Sequence, residues 1–299
     1  MKRKKDKTLD SNKNIAWLYI LPMLAMTIFF WIVPIIVAVF MSFSNYTGLN
    51  VPSFVELENY KKLFSDDLFF ISLKNTLIFV ITVVPGQTIL GFCVAAWIDR
   101  KGKNPVTSFV RWSMFIPSLA SVSIIGIVCR VLLNNVDSPL NTFLKILGVN
   151  GNHLLGSGKS ALCVLIVMEI LISSGYYMVI YLAALTEIPR SYYEAAKMDG
   201  LSTFTIYRKI TLPIVWPSTL MILFMGTLKV IQSFDLVYTV TGGGPATSTY
   251  TLMLYLYMYG FKYSKISMAS TVGTVIIIVA GIVVLFCGKF LFKKRNNMY

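Results

Sequence analysis

Charge is scarce in this 299-residue chain. Asp, Glu, Lys and Arg together make 13% of it, about half the share usual in a soluble domain. Hydrophobic residues make 56%, and the mean hydropathy is +0.70. As a water-exposed surface this composition would aggregate; facing lipid, it is stable. Histidine is nearly absent, and the lone His153 excludes a His-based metal or catalytic cluster. The four cysteines, Cys93, Cys129, Cys163 and Cys287, lie in or beside apolar runs without paired spacing. That excludes a disulfide frame or a thiolate metal site and leaves them as small buried hydrophobes. A complete phosphate-binding loop is also missing. Gly156-Ser157-Gly158-Lys159-Ser160 has its ending, but His153 stands where the first glycine belongs and no strand precedes it. The chain therefore does not hydrolyse ATP by that mechanism, and no cofactor is expected in it. The apolar runs hold no nucleophile–base set, which argues against an intramembrane enzyme.

What the chain has is six long apolar runs, at about 17–40, 73–97, 112–133, 161–186, 214–240 and 267–290. Each approaches or exceeds the ~20 residues that cross a ~30 Å hydrocarbon core. Without water the backbone must satisfy itself, so the expected fold is all-α, a polytopic membrane protein with six transmembrane helices. The first run follows a basic segment but is too long for a signal peptide and lacks a small-x-small cleavage site, so it reads as an uncleaved anchor. The expected organisation is a basic cytoplasmic N-terminus (1–16), a transmembrane domain (17–290) and a basic cytoplasmic tail (291–299). The net charge of +14 would suit nucleic acid, but its distribution points elsewhere. With the N-terminus inside, the inner segments carry 18 Lys and Arg and the outer loops 6. This positive-inside bias puts both termini in the cytoplasm. No nucleic-acid partner is implied. The Lys-rich start, from Lys2 to Lys7, faces anionic membrane lipid.

The same orientation places loop 187–213 in the cytoplasm. Pro189 closes the exit of the fourth run, and Ser191 with Glu194 reads as a capping box. Ala195 and Ala196 are small enough for another surface to approach. Gly200 ends the helix by adopting positive φ, with Leu201 placed for the accompanying apolar contact. Ser202 or Thr203 starts a second short helix with Phe204, Tyr207 and Ile210 on one face. Leu212, before Pro213, is biased out of helix and ends the element. A helix–Gly–helix elbow along the membrane face is expected. The bland alternative is an amphipathic hairpin that only anchors to lipid.

Glu194-Ala195-Ala196, Gly200, Ile210 and Leu212-Pro213, at this spacing, resemble the EAA signature of membrane subunits in bacterial ATP-binding-cassette (ABC) importers. Further similarity runs along most of the chain: Glu58-Asn59-Tyr60 through Phe64, Asn75-Thr76, Arg111 with Phe115-Ile116-Pro117, and Thr241-Gly242-Gly243-Gly244-Pro245. The triple-glycine turn resembles the first permease of the maltose and glycerol-phosphate type. The resemblance implies a carbohydrate permease in the bacterial cell membrane whose elbow docks on a separate ATPase. The implied partners are a second permease, two ATPase subunits and an extracytoplasmic solute-binding protein.

Ionisable groups at membrane depth line a cavity or pair with each other. Glu169, Ser173 and Tyr176 share one face of the fourth run, and Lys229, Gln232 and Ser233 share one face of the fifth. These faces offer hydroxyl, amide and aromatic partners for a sugar, and the resemblance implies that these spans build the substrate site. A Glu169–Lys229 ion pair that only locks two helices accounts for the charges equally well. Pro22, Pro34, Pro85-Gly86, Gly91, Pro117, Gly126, Gly175, Pro217 and Gly226 interrupt the runs, either as close packing points or as hinges. An ion-coupled secondary transporter is the rival function. It would keep the intramembrane polar groups but has no use for the elbow, and no inverted halves are visible.

Overall fold

Twelve helices account for nearly all regular structure among the described residues of the computed structural model. Residues 17, 19–135, 138–146, 148 and 154–295 are described, with side chains through 285. The basic start 1–16, His153, the Cys287 side chain and the end of the basic tail lie outside them. In chain order the helices are α1 (Tyr19–Ser42), α2 (Glu58–Leu63), α3 (Asp67–Lys101), α4 (Pro105–Leu119), α5 (Val122–Asn134), α6 (Pro139–Ile146), α7 (Gly158–Thr186), α8 (Arg190–Met198), α9 (Thr203–Ile231), α10 (Asp235–Val240), α11 (Leu252–Tyr257) and α12 (Ile266–Arg295). A single antiparallel bridge joins Ser44 and Phe54.

Five helices, α1, α3, α7, α9 and α12, are long and apolar enough to cross a bilayer, and α4 with α5 makes a sixth, bent span. The apolar stretch of α1 has none of its residues buried, and Phe29 and Trp31 are 67% and 71% exposed. A surface of that kind needs lipid or another protein against it. Cys93 and Cys163 are exposed, not buried as expected, because they fall on outward helix faces.

Two expected spans come out differently. The run 112–133 is not one straight helix: α4 and α5 meet at 102° across Ala120 and Ser121, both extended. Pro117 has already removed an amide from the last turn of α4. The run 214–240 ends early, at Ile231. There the amides of Gln232 and Ser233 reach back only three residues, to Lys229 at 3.2 Å and Val230 at 3.1 Å, and this tightened turn stops α9 before α10 starts.

The central pair is α3 with α7, and α9 packs on α3. Small residues mark two crossings: α4 meets α7 at Gly175, where a Cβ would overlap the Met114 carbonyl, and α9 meets α3 at Gly226, where one would overlap the wholly buried Gln87 amide. For these glycines packing accounts for the residue. One apolar cluster, including Phe69, Phe79, Leu165, Leu236, Leu254 and Tyr255, fills the end of the bundle away from α8. A second, including Ala95, Met178, Tyr181, Leu185 and Val215, lies beneath α8.

The loop motifs at that end are clamps. Asn59 donates to the carbonyls of Ser42 and Ser44 at 2.8 and 2.7 Å, closing the end of α1. Asn75 donates to the carbonyls of Ser248 and Tyr250, each at 2.8 Å, and the Thr76 hydroxyl accepts from the Leu252 amide at 3.0 Å. Thr249 donates to the Gly244 carbonyl at 2.8 Å. Asp66 caps α3 through the Leu68 amide at 2.9 Å and accepts from the hydroxyls of Tyr255 at 2.6 Å and Tyr259 at 2.9 Å. Burial opposes ionisation of Asp66, but these bonds outweigh it and hold the carboxyl below its ordinary range.

Candidate functional site

The elbow after α7 is helical from Arg190, two residues earlier than a capping box would place it. Pro189 occupies the N-cap and no side chain caps the helix, so the Ser191–Glu194 box does not form. Ser191 sits inside the first turn, and the helix ladder already pairs the amides it would have capped with the carbonyls four residues back. The other end follows the sequence. Gly200 has φ +71°, the Leu201 amide donates to the Ala196 carbonyl at 3.1 Å, and the Gly200 amide donates to Lys197 at 3.0 Å. This pair of bonds is the Schellman ending of a helix. Ser202 then caps α9, accepting from the Thr205 amide at 3.3 Å.

Leu212 and Pro213 do not end that element. Leu212 is helical, with φ −58° and ψ −44°, and α9 runs through both residues. A π turn over Tyr207–Thr211 lets the Leu212 amide reach back to Tyr207. The widened turn takes up the strain a proline puts on the preceding turn. The same device, a π turn over Ile28–Ile32, precedes Pro34 in α1. It also separates the expected face: Phe204 is 75% exposed, while Tyr207 and Ile210 are half-buried.

Long-range bonds hold the elbow against the bundle. Arg190 donates to Asp99 at the end of α3 at 2.9 Å, and the Asp99 side chain is only 8% exposed. The Tyr207 hydroxyl donates to the Ala96 carbonyl at 3.2 Å, and the hydroxyls of Tyr193 and Thr211 meet at 3.2 Å. Ala196, Ile188 and Ile206 turn inward and are buried. Glu194, Ala195 and Gly200 remain on the outside, beside Met198, which is 88% exposed. Ile210 is half-buried, and Leu212 and Pro213 are exposed on α9. Asp99 and Arg190 carried no local signal of their partnership, since 91 positions separate them.

Within the bundle a cavity of about 190 Å³ opens between α7, α9, α10 and the start of α5. Glu169, Lys229, Gln232 and Ser233 line it, as do Asp235 and Phe234. Glu169 and Lys229 are joined through a third group: the Ser173 hydroxyl donates to Glu169 Oε1 at 3.2 Å and accepts from Lys229 Nζ at 3.2 Å. Tyr176 is not part of this assembly. It is 48% exposed, edge-on to Tyr177, and absent from the cavity wall. Its seven-residue offset from Glu169 is about 10 Å along the helix axis, which carries its ring beyond the cavity wall. The break after Ile231 brings Phe234 and Asp235 into the wall, which a continuous helix would have carried past it. Among the described residues no group of His, Cys, Asp and Glu could hold a metal.

An all-α membrane bundle with this elbow is the architecture of a transporter's membrane subunit. The chain belongs to the family described as the inner membrane component of binding-protein-dependent transport systems, whose profile matches residues 87–297. It is a permease subunit of an ABC importer, a transport subunit and not an enzyme, with ATP hydrolysis in a separate subunit. It is 32% identical over 272 residues to the lactose transport system permease protein LacF of Rhizobium radiobacter, covering 89% of this chain and 90% of that one. It is 28% identical over 273 residues to the multiple sugar-binding transport system permease protein MsmF of Streptococcus mutans, covering 91% and 93%. Its fold is similar to a chain from a bacterial ABC transporter involved in the import of the acidic polysaccharide alginate, with a TM-score of 0.80, 20% identity, and 96% and 99% coverage.

Proposed function

We propose that this permease carries a carbohydrate, delivered by an extracytoplasmic binding protein, and that its elbow takes the push of the ATPase. Both termini and the elbow lie in the cytoplasm in this reading, in keeping with the 18-to-6 bias of basic residues. The observation that carries it is the two-sidedness of α8. Its inner side is tied to α3 through Arg190 and Asp99, and its outer side presents Glu194, Ala195 and Met198 exposed. A force applied to that outer side reaches α3 and α9 through bonds already made. Ala195 and the exposed Gly200 allow the approach of a second backbone, that of one of two ATPase subunits.

Lactose and multiple-sugar relatives support a sugar as cargo. The cavity fits that chemistry, with the Gln232 amide, the Ser233 hydroxyl and the Phe234 ring in its lining. Two carboxyl groups to one ammonium in its lining favour a neutral sugar over an acidic one. At about 190 Å³ it is smaller than a usual ligand pocket of ~300 Å³ or more, so a second permease supplies the facing wall. The ATPase complex reconstituted with Glu194→Lys tests the reading. The variant should assemble in the membrane yet lose ATP hydrolysis stimulated by the sugar-loaded binding protein. Wild-type stimulation in Glu194→Lys would remove the elbow from the transmission path.

A further inference from the structure

Beside the elbow lies a second pair of cavities, unconnected with the sugar path. One, of about 260 Å³, sits at the N-terminal end of α4 and is lined by Lys103, Ser108, Arg111 and Arg190, with Asp99 as its only acid. Arg190 already serves Asp99. Lys103 and Arg111 have no acidic partner among the described residues. The start of the 15-residue α4 adds the positive end of its dipole. The other cavity, of about 390 Å³, continues from the first and shares Arg111, Leu182 and Thr186 with it. Its remaining wall is apolar: Trp112, Phe115, Val179 and Ala183. Trp112 is 58% exposed and Val179 37%, so the groove opens on the outside of the bundle.

A cationic polar chamber running into an apolar groove, at the level where the basic loop 98–111 leaves the membrane, matches one kind of occupant. We infer that α4 and α7 hold an anionic phospholipid of the cytoplasmic leaflet, its phosphate against Lys103 and Arg111 and one acyl chain along Trp112 and Val179. A free phosphate would satisfy the chamber and leave the groove without purpose. Another protein would have to match two uncompensated cations and an apolar groove together. Tryptophan beside the chamber suits the interfacial depth at which indole rings settle. The lipid would lie against the Asp99–Arg190 tie, where its charge bears on the elbow's attachment.

The inference rests on the cytoplasmic placement of the elbow proposed above. That placement is checked by reporter fusions after Tyr299, which the lipid measurements leave untouched, so the two can fail separately. The test uses the complete transporter extracted in mild detergent, with native mass spectrometry scoring retained phosphatidylglycerol against phosphatidylcholine. The wild type should retain phosphatidylglycerol selectively, and millimolar inorganic phosphate should not displace it. Lys103→Gln and Arg111→Gln should each weaken retention about fivefold, and the pair about twenty-fivefold, at roughly one basic residue's worth of attraction each. Val179→Trp, which fills the groove and leaves the cations in place, should also reduce it. All three side chains are exposed or half-exposed, so assembly should survive. Equal retention of phosphatidylglycerol in the double variant, displacement by phosphate alone, or a cross-link from Trp112→Cys to the second permease in place of lipid would each overturn the inference.

Discussion

Gly200 offers a graded test of the elbow because its surroundings are empty. It has φ +71°, and a Cβ built there meets nothing within 4 Å. The cost of a side chain is therefore backbone strain alone. An L-residue in the left-handed region costs about 1–2 kcal/mol, less for Asn, whose short side chain tolerates it, and more for a β-branched residue. One to two kcal/mol lowers the population of a conformation about five- to thirtyfold. That loss falls on the two bonds closing α8, Leu201 to Ala196 at 3.1 Å and Gly200 to Lys197 at 3.0 Å. α8 is nine residues long and largely exposed, so it has little packing with which to absorb the strain. Gly200→Asn should keep most of the ATP hydrolysis stimulated by loaded binding protein in the reconstituted complex. Gly200→Ala should lose severalfold and Gly200→Val most of it, with membrane insertion unchanged in all three. Equal damage in the Asn and Val variants would point to crowding at a docked surface in place of backbone strain. Normal stimulation in Gly200→Val would refute the claim that this turn positions the elbow.

Two further outcomes are expected. Lys229→Leu should destabilise the complex the more, since it strands the buried Glu169, whereas Glu169→Leu leaves a lysine that is exposed to the cavity; if the charges are only structural, the double Leu variant should restore assembly and transport, whereas a site role leaves it assembled but inactive in sugar uptake. Ser173→Ala, which removes the hydroxyl between them, should separate the two by weakening uptake without loss of assembly. Asp66 has a depressed carboxyl pKa in the folded chain, against an ordinary value of 3.8. Its contribution to stability is thus fully present above about pH 4 and is lost as pH falls through the lower folded value. Thermal unfolding of the detergent-extracted complex should show this acid loss in the wild type and a flatter profile in Asp66→Asn; parallel profiles would mean that Tyr255 and Tyr259 do not hold the carboxylate.

Sequence alone determined what depends on neighbours along the chain. Hydropathy marked the spans because each crossing must be apolar over its own length. Gly200 marked the end of α8 because only a glycine reaches that φ without strain. The EAA spacing pointed to the family that residues 87–297 match. Where a local signal had a local competitor, reading it failed. Ser191 and Glu194 make a sound capping box, but Pro189 starts the helix first. Pro213 is a sound helix stop, but a π turn carries the chain through it. Tertiary structure alone decided the rest. Asp99 meets Arg190 across 91 residues, and Ser173 bridges Glu169 to Lys229 across 56. The bend at Ala120–Ser121 and the stop at Ile231 shape the cavity beside Glu169 and Lys229 from helices that hydropathy drew as straight. Lys103 and Val179 face one continuous cleft only because α4 lies across α7 at Gly175. Such pairings follow from how close two backbones come in space, and periodicity along one chain says nothing of that distance.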